Sequence, residues 1–303
     1  MSAAPTTAAA ARPNPGPAPA GNAAWARALR DSGLLRLSLP RALGGDGSPW
    51  SEILQTLRDL CERDGALARL FAVHHLQLTR VRLLGSREQG QRLLPLTLLR
   101  DNLWGALGEP GERRLLAVEH VRGGFRINGL ASDGFAAEAA DWLLLWAWHG
   151  PSRASLLAAL PKERTGLAVQ ASRGAPQCQA LRLHPEDILV PPGLPATPRT
   201  VWCDSLALLL QANLALGLAQ HAAERQEQPR AAELSRLLGL GLRLSAQAAV
   251  LLDEGIEAGA ALSFSRSHAF ANLVAQTVAV AQQAAQQSLR AEGLNARLRA
   301  AAH

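Results

Sequence analysis

From Trp25 to about Leu99 the apolar residues recur at steps of three and four, the spacing of one helical face. In "SPWSEILQTLRDLCERD" (48–64) they fall at Ile53, Leu54, Leu57, Leu60 and Cys61, behind a start with Ser48 and Glu52 around a Pro-Trp pair that predicts a helix N-terminus. "PRALGGDGSP" (40–49) reads as a turn before it, and another helix begins after Gly85. From about Leu115 to Val190 the period becomes two, or the apolar run becomes short and continuous. "LLAVEHV" and "FRINGL" flank the turn "RGG", and "WLLLWAW" and "ASLLAAL" flank "HGPSR", which predicts two hairpins of a small antiparallel unit. Helical spacing returns from Val201, with breaks near "EQPR" (227–230) and "GAALS" (259–263), as in long bundle helices.

The pattern therefore predicts an α+β chain in four parts. Residues 1–22 form a tail of Ala, Pro, Gly and small polar residues that cannot bury enough surface to order itself; residues 23–103 form an N-terminal helical domain. Residues 104–198 form a small antiparallel β-barrel or sandwich, and residues 199–303 a C-terminal helical bundle, shortened at its end.

Composition narrows the function. The formal charge is +6 and the pI is near 10.6, but Lys162 is the sole lysine, the arginines are spread along the chain and acidic residues interleave with them. That distribution argues against a nucleic-acid surface. The longest apolar stretch, "LALLLQANLALGLA" (206–219), is broken by Gln211 and Asn213, which predicts a core helix and no membrane span. Cys61, Cys178 and Cys203 are widely spaced and match no metal pattern, as expected in a reducing cytoplasm. No Gly-x-Gly-x-x-Gly after a strand, no P-loop, no Gly-x-Ser-x-Gly and no His-Glu-x-x-His is present.

Two adjacent histidines raise the question of chemistry. His74 lies within the apolar stripe of Leu67, Leu70, Phe71, Leu78 and Val81, whereas His75 lies toward the stripe's edge, so only His74 is required to be buried. A buried imidazole with a hydrogen-bond partner is either a satisfied core residue or a poised acid/base. The sequence leaves both open. Trp142, Trp146 and Trp148 share one strand face and read as sheet core.

The order α, β, α, together with "SGLLRLSLPRALGGDG" (32–47), "RDGALARLFAVHHLQLTRVRLLGSREQ" (63–89), "WGALGEPG" (104–111) and "INGLASDGFAAEAADWLLLWA" (127–147), resembles the acyl-CoA dehydrogenase superfamily. The resemblance is strongest to its flavin-dependent monooxygenases of the desulfurisation type. It implies a flavin, FMN or FAD, between the β domain and the C-terminal helices, with Trp104, Ala106, Leu107, Gly108, Phe135 and Ala136 along the flavin wall. It further implies that His74 faces the flavin and assists the oxygen chemistry. The family's wall hydroxyl falls on Gly108, its lysine on Ala131, its Ser or Thr on Phe135 and an asparagine on Leu107, so the frame is kept and the hydrogen-bonding side chains are not.

The resemblance also implies a small-molecule substrate, an acyl-CoA or a hydrophobic or sulfur compound, a flavin reductase partner and a homo-oligomer built on the C-terminal helices. Neither the family's catalytic glutamate nor its C-terminal histidine has a match before His303; Glu254 and Glu257 lie where some dehydrogenases place an alternative base. Two functions follow. One is a flavin-dependent oxidoreductase of dehydrogenase or monooxygenase type; the other is a non-catalytic relative that pairs with an intact paralogue.

Overall fold

The structure is a computed structural model that describes residues 21–108, 116–131, 136–169, 175–224 and 230–301; all but the last two residues of the expected tail, and Phe135, lie outside the described residues. Four helices come first: α1 (Asn22–Asp31), α2 (Trp50–Arg63), α3 (Gly65–Leu84) and α4 (Arg87–Arg100). Eight strands follow: β1 (Trp104–Leu107), β2 (Leu116–Val121), β3 (Gly124–Leu130), β4 (Trp142–His149), β5 (Ala154–Pro161), β6 (Leu167–Ala168), β7 (Gln177–Leu183) and β8 (Ile188–Val190). Three long helices close the chain, α5 (Pro198–Glu224), α6 (Arg230–Ala258) and α7 (Phe264–Ala301).

The strands form one curled sheet in the order β6-β7-β3-β2-β4-β5-β8, with β1 paired to β4 outside that path. Both expected hairpins, β2–β3 and β4–β5, are antiparallel. The sheet as a whole is mixed, which corrects the all-antiparallel expectation: β1 and β2 both run parallel to β4. A connection of two to four residues forces antiparallel pairing, but β1 and β2 are separated from β4 by longer stretches of chain that carry no such constraint. β1 covers the first half of β4, and β2 meets it again at Ala117–Trp148.

The helix α3 is the axle of the molecule. It is buried nearly all round, because α1, α2, α4 and α5 surround it and β1 lies along it. Its N-terminus is capped by Asp64, whose carboxylate accepts from the Ala66 and Leu67 amides at 2.8 and 3.1 Å. One apolar core joins α1, α2, α3 and the C-terminal helices; a second fills the curl of the sheet; a third, with Leu78, Val81, Trp104, Leu144 and Leu157, lies between α3 and the sheet.

The start of α2 departs from its sequence signal. Neither Ser48 nor Pro49 caps it; Asp253 of α6 accepts the Trp50 amide at 3.1 and 3.2 Å, so a residue 203 positions away supplies the cap. The helix α5 is long and apolar enough by length and composition to cross a membrane, with a mean hydropathy of 1.4 over its best window. It lies at the centre of the bundle against α2, α3, α6 and α7, and over half of that window is buried.

Candidate active site

The segments expected to form a flavin wall come together at the end of β1. Gly105 allows the contact: a Cβ there would lie 2.8 Å from the Ala136 carbonyl oxygen and 2.9 Å from the Ala140 Cβ, so the turn 136–140 rests directly on the strand. Asp141 pins the same corner, its Oδ2 accepting from the Leu103 amide at 2.8 Å and from the Arg30 guanidinium at 2.7 Å. The residue kept from the resemblance at this position is thus a structural clasp between α1, β1 and β4.

Most of the wall side chains are committed to the interior. Trp104 is fully buried, stacks on Trp142 at 5.5 Å and donates its indole N–H to the Thr97 hydroxyl at 2.8 Å. Leu107 is fully buried in the core of the sheet, and Ala136 is buried against the helical core. Ala106 is half-buried on the same strand face as Trp104. What these residues offer an aromatic ligand is therefore backbone and small apolar surface.

Gly108 ends the strand with φ +70°, and a Cβ would lie 2.7 Å from the Trp146 carbonyl oxygen. A side chain there meets both a disfavoured backbone and a hard contact, which explains physically why this chain lacks the wall hydroxyl. Ala131 is buried, its amide donating to Pro176 at 2.8 Å.

His74 is next to this wall, but its ring has no free nitrogen. Nε2 must donate to the Leu35 carbonyl at 3.0 Å, since a carbonyl only accepts; Nδ1 then accepts the Trp104 amide at 3.1 Å. His75, expected at the edge of the stripe, is fully buried as well, because α3 has neighbours on every side. It donates from Nε2 to the Leu34 carbonyl at 3.1 Å, and its Nδ1 accepts from the Ser38 hydroxyl at 2.7 Å. Two successive histidines thus satisfy two successive carbonyls of the 3-10 turn Leu34–Arg36. Burial depresses the His74 pKa to about 4 and that of His75 well below the usual imidazole value, so both rings are neutral near pH 7. In this geometry His74 holds the first amide of β1.

Sequence reasoning missed a pair on the same sheet face. Arg80 of α3 is 6% exposed and its guanidinium lies over the Trp146 ring, 5.6 Å from the centroid; the signal was an arginine between Leu78, Val81 and Leu83. The Arg80 Nε and the Trp146 indole N–H are buried without a hydrogen-bond partner. Glu254 and Glu257, by contrast, are exposed on α6. A cleft of about 680 Å³ between the α3–α4 junction and β8 is lined by Gln89 and Arg92, which donate to backbone carbonyls of Glu186 and Ile188; those bonds fasten β8 to α4.

Comparison with known proteins agrees with this geometry. Residues 6–99 match the acyl-CoA dehydrogenase N-terminal domain. Over 214 residues the chain is 33% identical to a Pseudomonas putida protein named "Probable FMNH2-dependent monooxygenase SfnC", covering 66% of this chain and 53% of that one. It is 27% identical to a dibenzothiophene monooxygenase of Rhodococcus erythropolis over 220 residues, 64% of this chain and 52% of the other. The solved methanesulfinate monooxygenase MsuC of Pseudomonas fluorescens superposes with a TM-score of 0.76 at 28% identity, covering 86% of this chain and 76% of that one. The FMN-bound structure of TdsC from Paenibacillus sp. A11-2 superposes at 0.74 and 21% identity over the same shares, a likeness of fold. The chain spans about half the length of the curated relatives it matches. The chain is thus similar over residues 6–99 to the acyl-CoA dehydrogenase N-terminal domain, and in sequence and fold to proteins named as monooxygenases.

Proposed function

We propose that the protein is a flavin-dependent monooxygenase that works with reduced FMN delivered by a separate reductase and acts on a small sulfur-containing or hydrophobic molecule. The observation that carries the reading is the junction of β1 with the turn 136–140, where Gly105 lets the turn rest on the strand beside the half-buried Ala106. Such a surface suits a flat ring held by main-chain groups and apolar contact. The names of the relatives, an FMNH2-dependent and a methanesulfinate monooxygenase among them, supply the cofactor and the kind of substrate.

Bound reduced flavin would supply dioxygen activation: one oxygen atom enters the substrate, and the other leaves as water with the two hydrogens of the reduced cofactor. This chain's own residues bind and orient. Ala106, Gly108 and Ala136 present the wall; His74 fixes β1 through the Trp104 amide; Trp104 and Leu107 exclude water from behind it. Three free, buried thiols suit a reducing cytoplasm, and the C-terminal helices are the surface on which copies would associate.

The test is titration of the purified protein with FMN and FAD, followed by visible absorption, then an oxygen-uptake assay with a flavin reductase, NADH and methanesulfinate or dibenzothiophene. FMN binding with reductase-dependent product formation is the expected result. Failure to bind either flavin would overturn the reading in favour of a non-catalytic relative.

A further inference from the structure

Helices α2 and α5 approach each other closely near their C-terminal ends. At Gly217 of α5 an added Cβ would lie 2.8 Å from the Cys61 Cβ and 3.0 Å from the Arg58 Cα, so no larger residue fits between the two helices. Cys61 donates its thiol to the Leu214 carbonyl at 3.7 Å, and Arg58 donates to the Asn213 side-chain oxygen, which also accepts from the Ser245 hydroxyl of α6 at 2.9 Å. These contacts fix the register of α2 on α5. Glu62 follows Cys61 directly, and His221 lies about one turn past Gly217.

His221 and Glu224, three positions apart, share a face of α5. One ligand atom from each of Glu62, His221 and Glu224 lies within 4.8 Å of the other two. The three converge without pairing. The His221 Nδ1 is buried with no hydrogen-bond partner, and among the described residues neither carboxylate has an ion-pair partner. Both glutamates are solvent-exposed, so an ion can reach them from outside. All three residues belong to the last turn of their helices, where unpaired backbone carbonyls carry partial negative charge and favour a cation.

We propose that Glu62, His221 and Glu224 form a site for one divalent transition-metal ion of the zinc class, which ties the end of α2 to the end of α5. One imidazole nitrogen and two carboxylate oxygens are ligands that zinc takes, with water completing the coordination, whereas magnesium and calcium take oxygen alone. Zinc holds such ligands at about 2.0–2.2 Å, so atoms spaced as these are draw in by well under an ångström each, which exposed glutamate side chains do by rotation. The two carboxylates neutralise the ion, and the imidazole selects its class. None of the three residues belongs to β1 or to the turn 136–140, so the site stands without the flavin reading.

The experiment is calorimetric titration of the full chain, stripped with EDTA, with zinc chloride and with magnesium chloride, for the native protein and the variants H221A, E62Q and E224Q. Thermal melting with and without zinc follows. The native protein is expected to bind one equivalent of zinc, and magnesium at least about tenfold more weakly. Each variant should weaken zinc binding about tenfold or more, since losing a ligand costs at least what losing a group that merely orients one does. Zinc should raise the melting temperature of the native protein and leave that of H221A unchanged, because an ion bound only by the folded chain stabilises it. Absence of zinc binding by the native protein overturns the proposal. So does unchanged zinc affinity in H221A, or in both E62Q and E224Q, which places the ion on other surface groups. Magnesium bound as tightly as zinc overturns it as well, leaving a pair of acidic side chains with no selectivity. E62Q and E224Q replace exposed carboxylates by isosteric amides and keep the fold, so they decide the matter even where H221A does not fold.

Discussion

The amide of Trp104, first residue of the wall strand, donates to the Nδ1 of His74 at 3.1 Å, while the opposite nitrogen of the same ring holds the Leu35 carbonyl. One imidazole thus joins three chain segments, the 3-10 turn before α2, the helix α3 and the strand β1. Removing it leaves a buried N–H and a buried carbonyl unpaired and opens a cavity. His74→Ala is therefore expected to destabilise the fold by roughly 2–4 kcal/mol and to weaken FMN binding through the loosened strand. His74→Gln, which keeps a donor and an acceptor, should lose less. Urea denaturation and flavin titration check this; a fully stable His74→Ala with abolished turnover would restore the acid/base role.

Acid should unfold the protein early. His74 has its pKa near 4 in the folded state and near 6.5 when unfolded, so the unfolded chain binds more protons between those values. The stability this neutral ring confers is complete above about pH 6.5 and is lost as pH falls toward 4, amounting to roughly 3 kcal/mol for His74. His75 acts in the same direction. Asp204 and Asp253, whose carboxyls burial raises, take up protons more readily when folded and soften the loss. The urea midpoint is expected to fall between pH 7.5 and 5; an unchanged midpoint would contradict the buried, neutral assignment of both rings.

Gly108→Thr would restore the hydroxyl of the family's wall, yet it should harm the protein. The residue needs a left-handed backbone at φ +70°, and its Cβ would press on the Trp146 carbonyl at 2.7 Å. A loss of roughly 1–3 kcal/mol is expected, visible as a lower melting temperature. If Gly108→Thr melts as the native protein does, the glycine is not a requirement of the local backbone.

How much of this was legible depended on the range of the interaction. The change of period from helical to alternating and back is local, and it marked helices, hairpins and bundle in order. The parallel pairing of β1 and β2 with β4 was not legible, because the short turns speak only for β2–β3 and β4–β5. The resemblance named Trp104 and Leu107 for a flavin wall, but not that both side chains would be fully buried. His75 was misjudged because an amphipathic stripe presumes one solvent face, and α3 has almost none. Arg80 and Asp253 act on Trp146 and Trp50, far away in sequence, and no pattern within a segment announces such partners.

The crossing of α6 over α5 offers a last test of packing against propensity. Gly255 sits so close to the Trp202 ring that an added Cβ would come within 2.0 Å of it, and Trp202 in turn stacks on Phe270 of α7 at 4.4 Å. In an isolated helix, alanine would be favoured over glycine by about 1 kcal/mol. Here the methyl must displace a fully enclosed indole locked between α6 and α7, where overpacking costs about 1–3 kcal/mol or more. Gly255→Ala is therefore expected to destabilise the bundle despite its better helix propensity, and Gly255→Ala combined with Trp202→Phe should recover part of the loss. Additive effects of the two substitutions on the denaturation midpoint would mean that the glycine does not exist to admit the ring.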